Sequence, residues 1–464
     1  MIAVTLEWIA QQLNGRLEGS DIEVNNVSTD TRSLQPGDLF IALTGPNFNG
    51  HHFVPQAEAG GAAALVCSQS VKTNLPVIYV QDTRQALGHL GAAVKQQVQP
   101  KTIAITGSSG KTTVKEMTAA ILSRRGSVLA TQGNFNNDIG VPLTLLRLEE
   151  SHEYAVMELG ANHLGEIAYT TSLVKPDVAT IVNAAAAHLE GFGSLLGVAR
   201  AKGEIFKGLG DKGLAILNAD SQFYNFWQGK IYGPRIQSFS EQSGDYCASD
   251  VILGLDGCAQ FMMHTPQGDA DILLPVPGLH NVSNALCAAA LAMGVGASLE
   301  DVRMGLQHMT LSKGRLNVKQ LTNQVRIIDD SYNANVASVK AAIDLLSSYA
   351  GKRVLVLGDM AELGERARFY HEEVGEYARD NNIDLLFSLG VLSQNASDTM
   401  DERGEHFEQV AALVERLGER LGNEQQDITI LVKGSRSAAM ERVVEALEAS
   451  PLGKLQRLRE RMAC

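Results

Sequence analysis

Cysteine is scarce: Cys67, Cys247, Cys258, Cys287 and Cys464 are odd in number and nowhere spaced C-x-x-C. That excludes a disulfide framework and a zinc knuckle, and it points to a reducing compartment. Aromatic residues make up only 5% of the chain, too few for a stacking platform along single-stranded nucleic acid. Positive charge is not in excess, since the net charge is -13. A general nucleic-acid binder is therefore excluded, and any anionic ligand has to be held by local groups. Long apolar runs are missing too. The longest, residues 285–297, is short and broken by glycine, and residues 1–17 carry Glu7 with no basic start, unlike a signal peptide. There are no repeats and no low-complexity segments. A cytoplasmic chain without a membrane span or a nucleic-acid partner is expected, and 464 residues require two or three domains.

What the chain does contain is a phosphate cradle. The stretch Thr106-Gly107-Ser108-Ser109-Gly110-Lys111-Thr112-Thr113 follows the apolar Ile103-Ala104-Ile105 and precedes a helical pattern over 114–125. Glycines let backbone N–H groups turn inward, the helix N-terminus adds positive potential, and Lys111 reaches toward outer phosphates. Thr112 then offers its hydroxyl to Mg²⁺. Ile105 stands where the longer G-x-x-x-x-G-K-[ST] pattern has its first glycine, so the short form also fits an ordinary strand-to-helix turn.

Three units are expected along the chain. Residues 1–98 form a small α/β unit: a short amphipathic helix at 5–13, a polar cluster at 27–32, a strand at 39–43 and a polar loop at 48–53. Ser28, Thr29, Asp30, Arg32 and His51 there suit a nucleotide or sugar, and equally a solvated turn. Residues 99–311 alternate strands at 103–106, 128–131, 154–159, 178–182 and 214–217 with helical stretches, the pattern of a parallel sheet covered on both faces. After Asp220, antiparallel strands are expected up to 277, then an alanine-rich helix to 293. Residues 312–464 alternate again, with strands at 325–328, 354–357, 385–388 and 428–432 forming a second doubly wound, Rossmann-like sheet. The basic tail at 454–461 reads as an exposed helix end.

Ligands of such sheets sit at the carboxyl ends of the strands, so polar residues there are candidates. Glu158 ends a strand beside the cradle and offers the hard oxygen donor that Mg²⁺ prefers; its alternative is an N-cap for the following helix. On residue type alone, His188 fits a hydrogen-bonded structural role as well as a ligand, and Lys202 fits a solvated helix face.

Seven motifs in order carry a resemblance: Thr106-Gly-Ser-Ser-Gly-Lys-Thr-Thr113, Gly133-Asn-Phe-Asn-Asn-Asp-Ile-Gly140, Glu158-Leu-Gly-Ala161, Ala187-His-Leu-Glu-Gly-Phe-Gly-Ser194, Ala201-Lys-Gly-Glu-Ile205, Asp329-Asp-Ser-Tyr-Asn-Ala-Asn335 and Lys433-Gly-Ser-Arg436. Each is modest alone, but together they resemble the Mur ligase family over essentially the whole chain. The resemblance implies three α/β domains. They are a small N-terminal domain for the UDP end of the substrate, a central P-loop ATPase domain with a mostly parallel sheet, and a C-terminal Rossmann-like domain that closes over ATP and receives the amine. It implies ATP-dependent joining of D-alanyl-D-alanine to UDP-N-acetylmuramoyl-tripeptide. The Asp-Asn-Pro-Arg motif typical of the ligase adding the third stem residue is missing.

The same resemblance places ATP on Gly107, Ser108, Ser109, Gly110, Lys111, Thr112, Thr113 and Asn137, with Asn284 against the adenine, Asp330 at the ribose and Arg315 at the terminal phosphate. It implies two Mg²⁺ ions, one at Thr112 and Glu158 and one at His188 and a carbamylated Lys202. An ammonium cannot ligate a cation, whereas a carbamate presents oxygens. Lys111, His188, Lys202 and Arg315 would carry the chemistry, and Ser28, Thr29, Asp30, Arg32 and His51 the UDP end. Asn49 stands where many relatives have Asp, and Val336 where many have Pro. The implied reaction passes through an acyl phosphate. Closure about hinges near 97–100 and 311–314 would shield it from water in a monomeric enzyme.

Three other assignments stay open from the sequence. A sister amide ligase would take a different amino acid or a folate. A phosphate-loop ATPase acting as a switch or motor would need no amine, and no Asn-Lys-x-Asp element supports a GTP-binding version. A nucleotide-binding scaffold would leave His188, Lys202 and Asp330 with no reason to sit at strand ends.

Overall fold

Strand Lys101–Thr106 is buried along all but its first residue, because helices cover both faces of its sheet. In the computed structural model, which describes residues 1–185, 189–310 and 312–450, it lies within a six-stranded, wholly parallel sheet. The order is 128–130, 154–158, 101–106, 178–181, 214–218, 235–239. The chain leaves strand 101–106 for the outer strand 128–130, returns to 154–158, then crosses to 178–181. Winding therefore reverses at the carboxyl end of 101–106, where a doubly wound sheet opens its crevice and where loop 107–110 lies.

Parallel pairing does not stop at Asp220: strand Arg235–Phe239 joins the same sheet after the short helix Tyr224–Gln228. Five residues are too few to display helical periodicity, and an edge strand alternates polar and apolar residues as an antiparallel one does. The antiparallel sheet consists of Cys247–Leu253, Cys258–Thr265 and Gly268–Pro277. It leads into the almost wholly buried helix His280–Gly294, whose alanines pack against the phosphate-loop helix Lys111–Leu122.

The opening unit holds a five-stranded sheet ordered Arg16–Glu18, Val77–Tyr79, Ala64–Cys67, Leu39–Ile41, Val27–Ser28, parallel except at its first pair. Its last helix, Thr83–Val98, packs on the central helices Gly140–Leu145 and Glu166–Val174. Gly91 permits that approach, since a Cβ there would lie 3.0 Å from the Pro142 carbonyl oxygen. One continuous core runs from Ile2 through Leu87, Leu90 and Val94 to Leu145 and Ile181. The chain turns at Gln99, with φ 54°, but the core does not end there. A pivot at 97–100 would separate packed helices.

The third domain's sheet is ordered Asn317–Gln320, Val325–Asp330, Ile428–Lys433, Lys352–Gly358, Leu385–Leu389, Gly404–Phe407, with only the first pair antiparallel. The last strand in sequence inserts between the second and the third, setting Asp330 in register with Lys433. The outer strands Asn317–Gln320 and Gly404–Phe407 escape the sequence pattern because they are short and partly exposed. The tail at 454–461 lies outside the described residues. Among the described residues no helix is long and apolar enough to cross a membrane.

Candidate active site

The phosphate loop is shaped by Gly110 and braced from the neighbouring strand by Asn183. Gly110 takes φ 75° and caps helix Lys111–Leu122, and a Cβ there would lie 2.8 Å from Asn284 Oδ1. Asn183, at the end of the neighbouring strand, accepts from the backbone N–H groups of Ser108 and Ser109 at 3.1 and 2.9 Å. The Asn183 amide also donates to Ser109 Oγ at 2.9 Å. The first-turn N–H groups of the helix, which have no partner within it, remain to receive an anion.

Two lysines converge on one carbonyl. Lys111 and Lys202 both donate from Nζ to the Gly107 oxygen, at 2.8 and 3.0 Å. Burial lowers the pKa of Lys111, with Glu158 opposing and Arg315 adding to the drop. Burial lowers that of Lys202 well below the ordinary lysine value, and the Lys111 charge lowers it further.

Glu158 ends strand Tyr154–Glu158 and is buried. Its Oε2 accepts from Thr112 Oγ1 at 3.0 Å and its Oε1 from Asn136 Nδ2 at 3.0 Å, while its backbone N–H donates to Thr131 Oγ1 at 3.0 Å. It is not an N-cap, because the next helix starts at Glu166 behind Gly165. Arg315 arrives from the third domain: Nη2 donates to Thr112 Oγ1 at 3.2 Å, and its guanidinium carbon lies 4.3 Å from the Tyr332 ring centre. Its Nε is buried with no hydrogen-bond partner among the described residues. A second tie between the domains runs from Asn335 Nδ2 to the Ser108 carbonyl oxygen, 3.1 Å.

These groups line a cavity of about 470 Å³ between the central and third domains, together with Asn284 and Asp330. The Asn284 amide donates to Asn281 Oδ1 at 2.8 Å, leaving its oxygen toward Gly110. Asp330 is buried and pairs with Lys433, which also donates to the Asn333 carbonyl oxygen at 3.1 Å.

Asn137 is displaced from its expected place. It is exposed and accepts from the Gly140 N–H at 2.8 Å, bracing the turn into helix Gly140–Leu145, while its neighbour Asn136 lines the cavity. His188 lies outside the described residues. Ser28, Thr29, Asp30, Arg32 and His51 do not line this cavity. Asp30 and Arg32 pair with each other. His51 is buried, accepting at Nε2 from the Ser68 N–H at 2.9 Å, with Nδ1 2.7 Å from Asn49 Oδ1. Asn49 thus does the capping that an Asp would do at that position. Val336 starts helix Val336–Ser347 behind the Asn335 capping box, so no Pro is needed there. Sequence reasoning gave no role to Asn136, Asn183, His280 or Lys433, all of which line the cavity; for Asn183 and Lys433 the available signal was their position at strand ends.

Family models match along the chain: a Mur ligase family catalytic domain at 23–95, a Mur ligase middle domain at 105–292, and a Mur ligase glutamate ligase domain at 314–436. The UDP-N-acetylmuramoyl-tripeptide–D-alanyl-D-alanine ligase of Escherichia coli K12 is 53% identical over 97% of this chain and 99% of its own length. This chain belongs to the Mur ligase family. The enzyme of the same name from Bacillus subtilis 168 is 36% identical over 97% of this chain and all of its own. A crystal structure of MurF from Acinetobacter baumannii aligns with TM-score 0.92 and 39% identity, covering 97% of this chain and 99% of that one. MurF from Thermotoga maritima, solved in complex with ADP, aligns with TM-score 0.81 at 25% identity, over 92% and 97%. Like its family, this Mur ligase is an ATP-dependent enzyme of three α/β domains, with the parallel central sheet carrying the phosphate loop.

Proposed function

We propose that this Mur ligase joins D-alanyl-D-alanine to UDP-N-acetylmuramoyl-tripeptide using ATP. It would act as a cytoplasmic monomer in cell wall biogenesis, upstream of cell shape and division. The observation that carries this is the meeting, in one cavity between two domains, of a phosphate loop, a half-buried threonine paired with a buried glutamate, and an arginine from the facing domain. Residues 1–98 hold the UDP end, 99–311 bind ATP, and 312–464 close over it and admit the dipeptide.

The residues fit a metal of the Mg²⁺ type. Among the described residues no group of three His, Cys, Asp or Glu could cage an ion by itself. Mg²⁺ is ordinarily held by one or two carboxylates plus phosphate oxygens and water, and Thr112 with Glu158 offers that partial set. Lys202 is buried against another lysine, with only a carbonyl as acceptor among the described residues. Carbamylation would replace that unfavourable ammonium by oxygens and give a second ion a ligand. When bound, the two ions would neutralise charge on the transferring phosphoryl group.

A carboxylate does not acylate an amine at neutral pH, because its oxygen is a poor leaving group. Lys111 and Arg315 position the γ-phosphoryl of ATP against the tripeptide's terminal carboxylate, and its transfer gives an acyl phosphate and ADP. The dipeptide's free amine attacks the acyl carbon, phosphate leaves, and the nitrogen loses its proton. Arg315 and Asn335 link the third domain to the loop, so the contacts that stabilise the transfer also keep water out. The deciding measurement is phosphate release with the UDP-tripeptide alone, D-alanyl-D-alanine alone, and both. Release that needs both, with a UDP-pentapeptide found by mass, is expected. Release indifferent to the amine would replace this assignment with a switch or motor, and release only with another amino acid with a sister ligase.

A further inference from the structure

The incoming dipeptide carries a carboxylate at one end and its reacting amine at the other, so the cavity needs a cation that the phosphate chemistry does not use. Five lysines and arginines line it among the described residues: Lys111, Lys202, Arg315, Lys433 and Arg436. The first three face the phosphate loop. Lys433 is committed to Asp330 and the Asn333 carbonyl. Arg436 remains. It opens the turn Arg436–Ala438 just past strand Ile428–Lys433, its side chain is 59% exposed, and Nη1 donates to Glu441 Oε1 at 2.9 Å. Nε and Nη2 have no hydrogen-bond partner among the described residues. Glu441 thereby holds one edge of the guanidinium fork and leaves the other edge open to a second carboxylate.

The spacing suits a dipeptide. Tyr332 has the Arg315 guanidinium carbon 4.3 Å from its ring centre and that of Arg436 at 5.9 Å, so both groups lie against one aromatic ring and no more than about 10 Å apart. Two extended residues reach roughly 7 Å. A dipeptide whose amine attacks beside Arg315 therefore has its carboxylate within reach of Arg436. Resting on the ligase assignment above, the geometry points to Arg436 as the subsite for the carboxylate of the incoming dipeptide, a specificity residue that rejects substrates lacking that charge.

The test compares D-alanyl-D-alanine with its C-terminal carboxamide, each with ATP and the UDP-tripeptide, by kcat/KM and product mass. A charged hydrogen bond predicts that the native enzyme favours the acid by roughly ten- to a hundredfold. In Arg436→Ala the preference collapses toward equality, and in Arg436→Lys it is intermediate, while KM for ATP stays near the native value. The ratio is taken within each variant, so partial loss of folded protein cancels. The subsite is overturned if Arg436→Ala keeps the native acid-to-amide ratio, if the native enzyme does not discriminate, or if only the KM for the UDP-tripeptide changes. A native enzyme that makes no product from D-alanyl-D-alanine overturns the ligase assignment, and this subsite with it.

Discussion

Asp330→Asn isolates a buried charge. The Asp330 and Lys433 side chains are 11% and 3% exposed, lie on adjacent strands in register, and form an ion pair. Replacing the carboxylate by an amide of the same shape leaves the ammonium with two neutral oxygens, and removing one partner of such a pair costs about 3–5 kcal/mol. The loss is bounded, because the ammonium can shed its proton instead. Moving a lysine from its ordinary pKa of about 10.4 to pH 7 costs about 4.6 kcal/mol at 1.36 per unit. Burial already lowers the pKa of Lys433, and Asp330 opposes that drop. In the variant the native state then binds fewer protons than the unfolded state, so its stability rises with pH, and the deficit against the native protein shrinks between pH 7 and 9. Lys433→Met added to Asp330→Asn should recover at least half the loss. Trp8 and Trp227 are the only tryptophans and both lie outside the third domain, so indole fluorescence is a poor reporter. Hydrogen exchange by mass spectrometry over peptides within 325–358, without nucleotide, reads the local stability directly. A deficit under about 1 kcal/mol, or one that does not change with pH, would refute the reasoning.

Gly110→Ala puts a Cβ at φ 75°, 2.8 Å from Asn284 Oδ1. A left-handed non-glycine costs about 1–2 kcal/mol, so calorimetry should show ATP binding weakened roughly tenfold or more with UDP-tripeptide binding unchanged. Asn136→Ala strips a donor from Glu158 and should raise the Mg²⁺ concentration needed for half-maximal phosphate release. Asn137→Ala should instead cost about 1 kcal/mol of stability and leave that requirement alone. Hydrogen bonds from Arg32 hold the Asp30 carboxyl down at about 2, so the ionised pair persists as pH falls below 4 and is lost on passing through 2. In Arg32→Ala the carboxyl midpoint, followed by NMR, should move up toward about 3.9.

Local rules make much of this protein legible from its residues alone. A glycine loop between an apolar strand and a helix has few alternatives, and the inner strands of the two doubly wound sheets fall within a residue or two of where apolar runs and turn residues mark them, whereas the edge strands Arg235–Phe239, Asn317–Gln320 and Gly404–Phe407 do not. Glu158 was identifiable because a carboxylate ending an apolar strand next to that loop has to be paired or bound. Which side chains meet was decided by pairings distant in sequence. Strand Ile428–Lys433 slips between two strands that precede it by many residues, and that insertion alone brings Lys433 to Asp330. Asn136 and Asn137 are the same residue type one position apart, and only the path of the turn directs one to Glu158 and the other to a helix start. Helix Thr83–Val98 reads as the end of the first unit, yet its glycine face packs on central helices and extends one core across that boundary. Residue type and spacing determined which chemistry the chain could perform. Sheet order and helix packing decided which residues stand together to perform it, because the contacts that fix them join segments far apart along the chain.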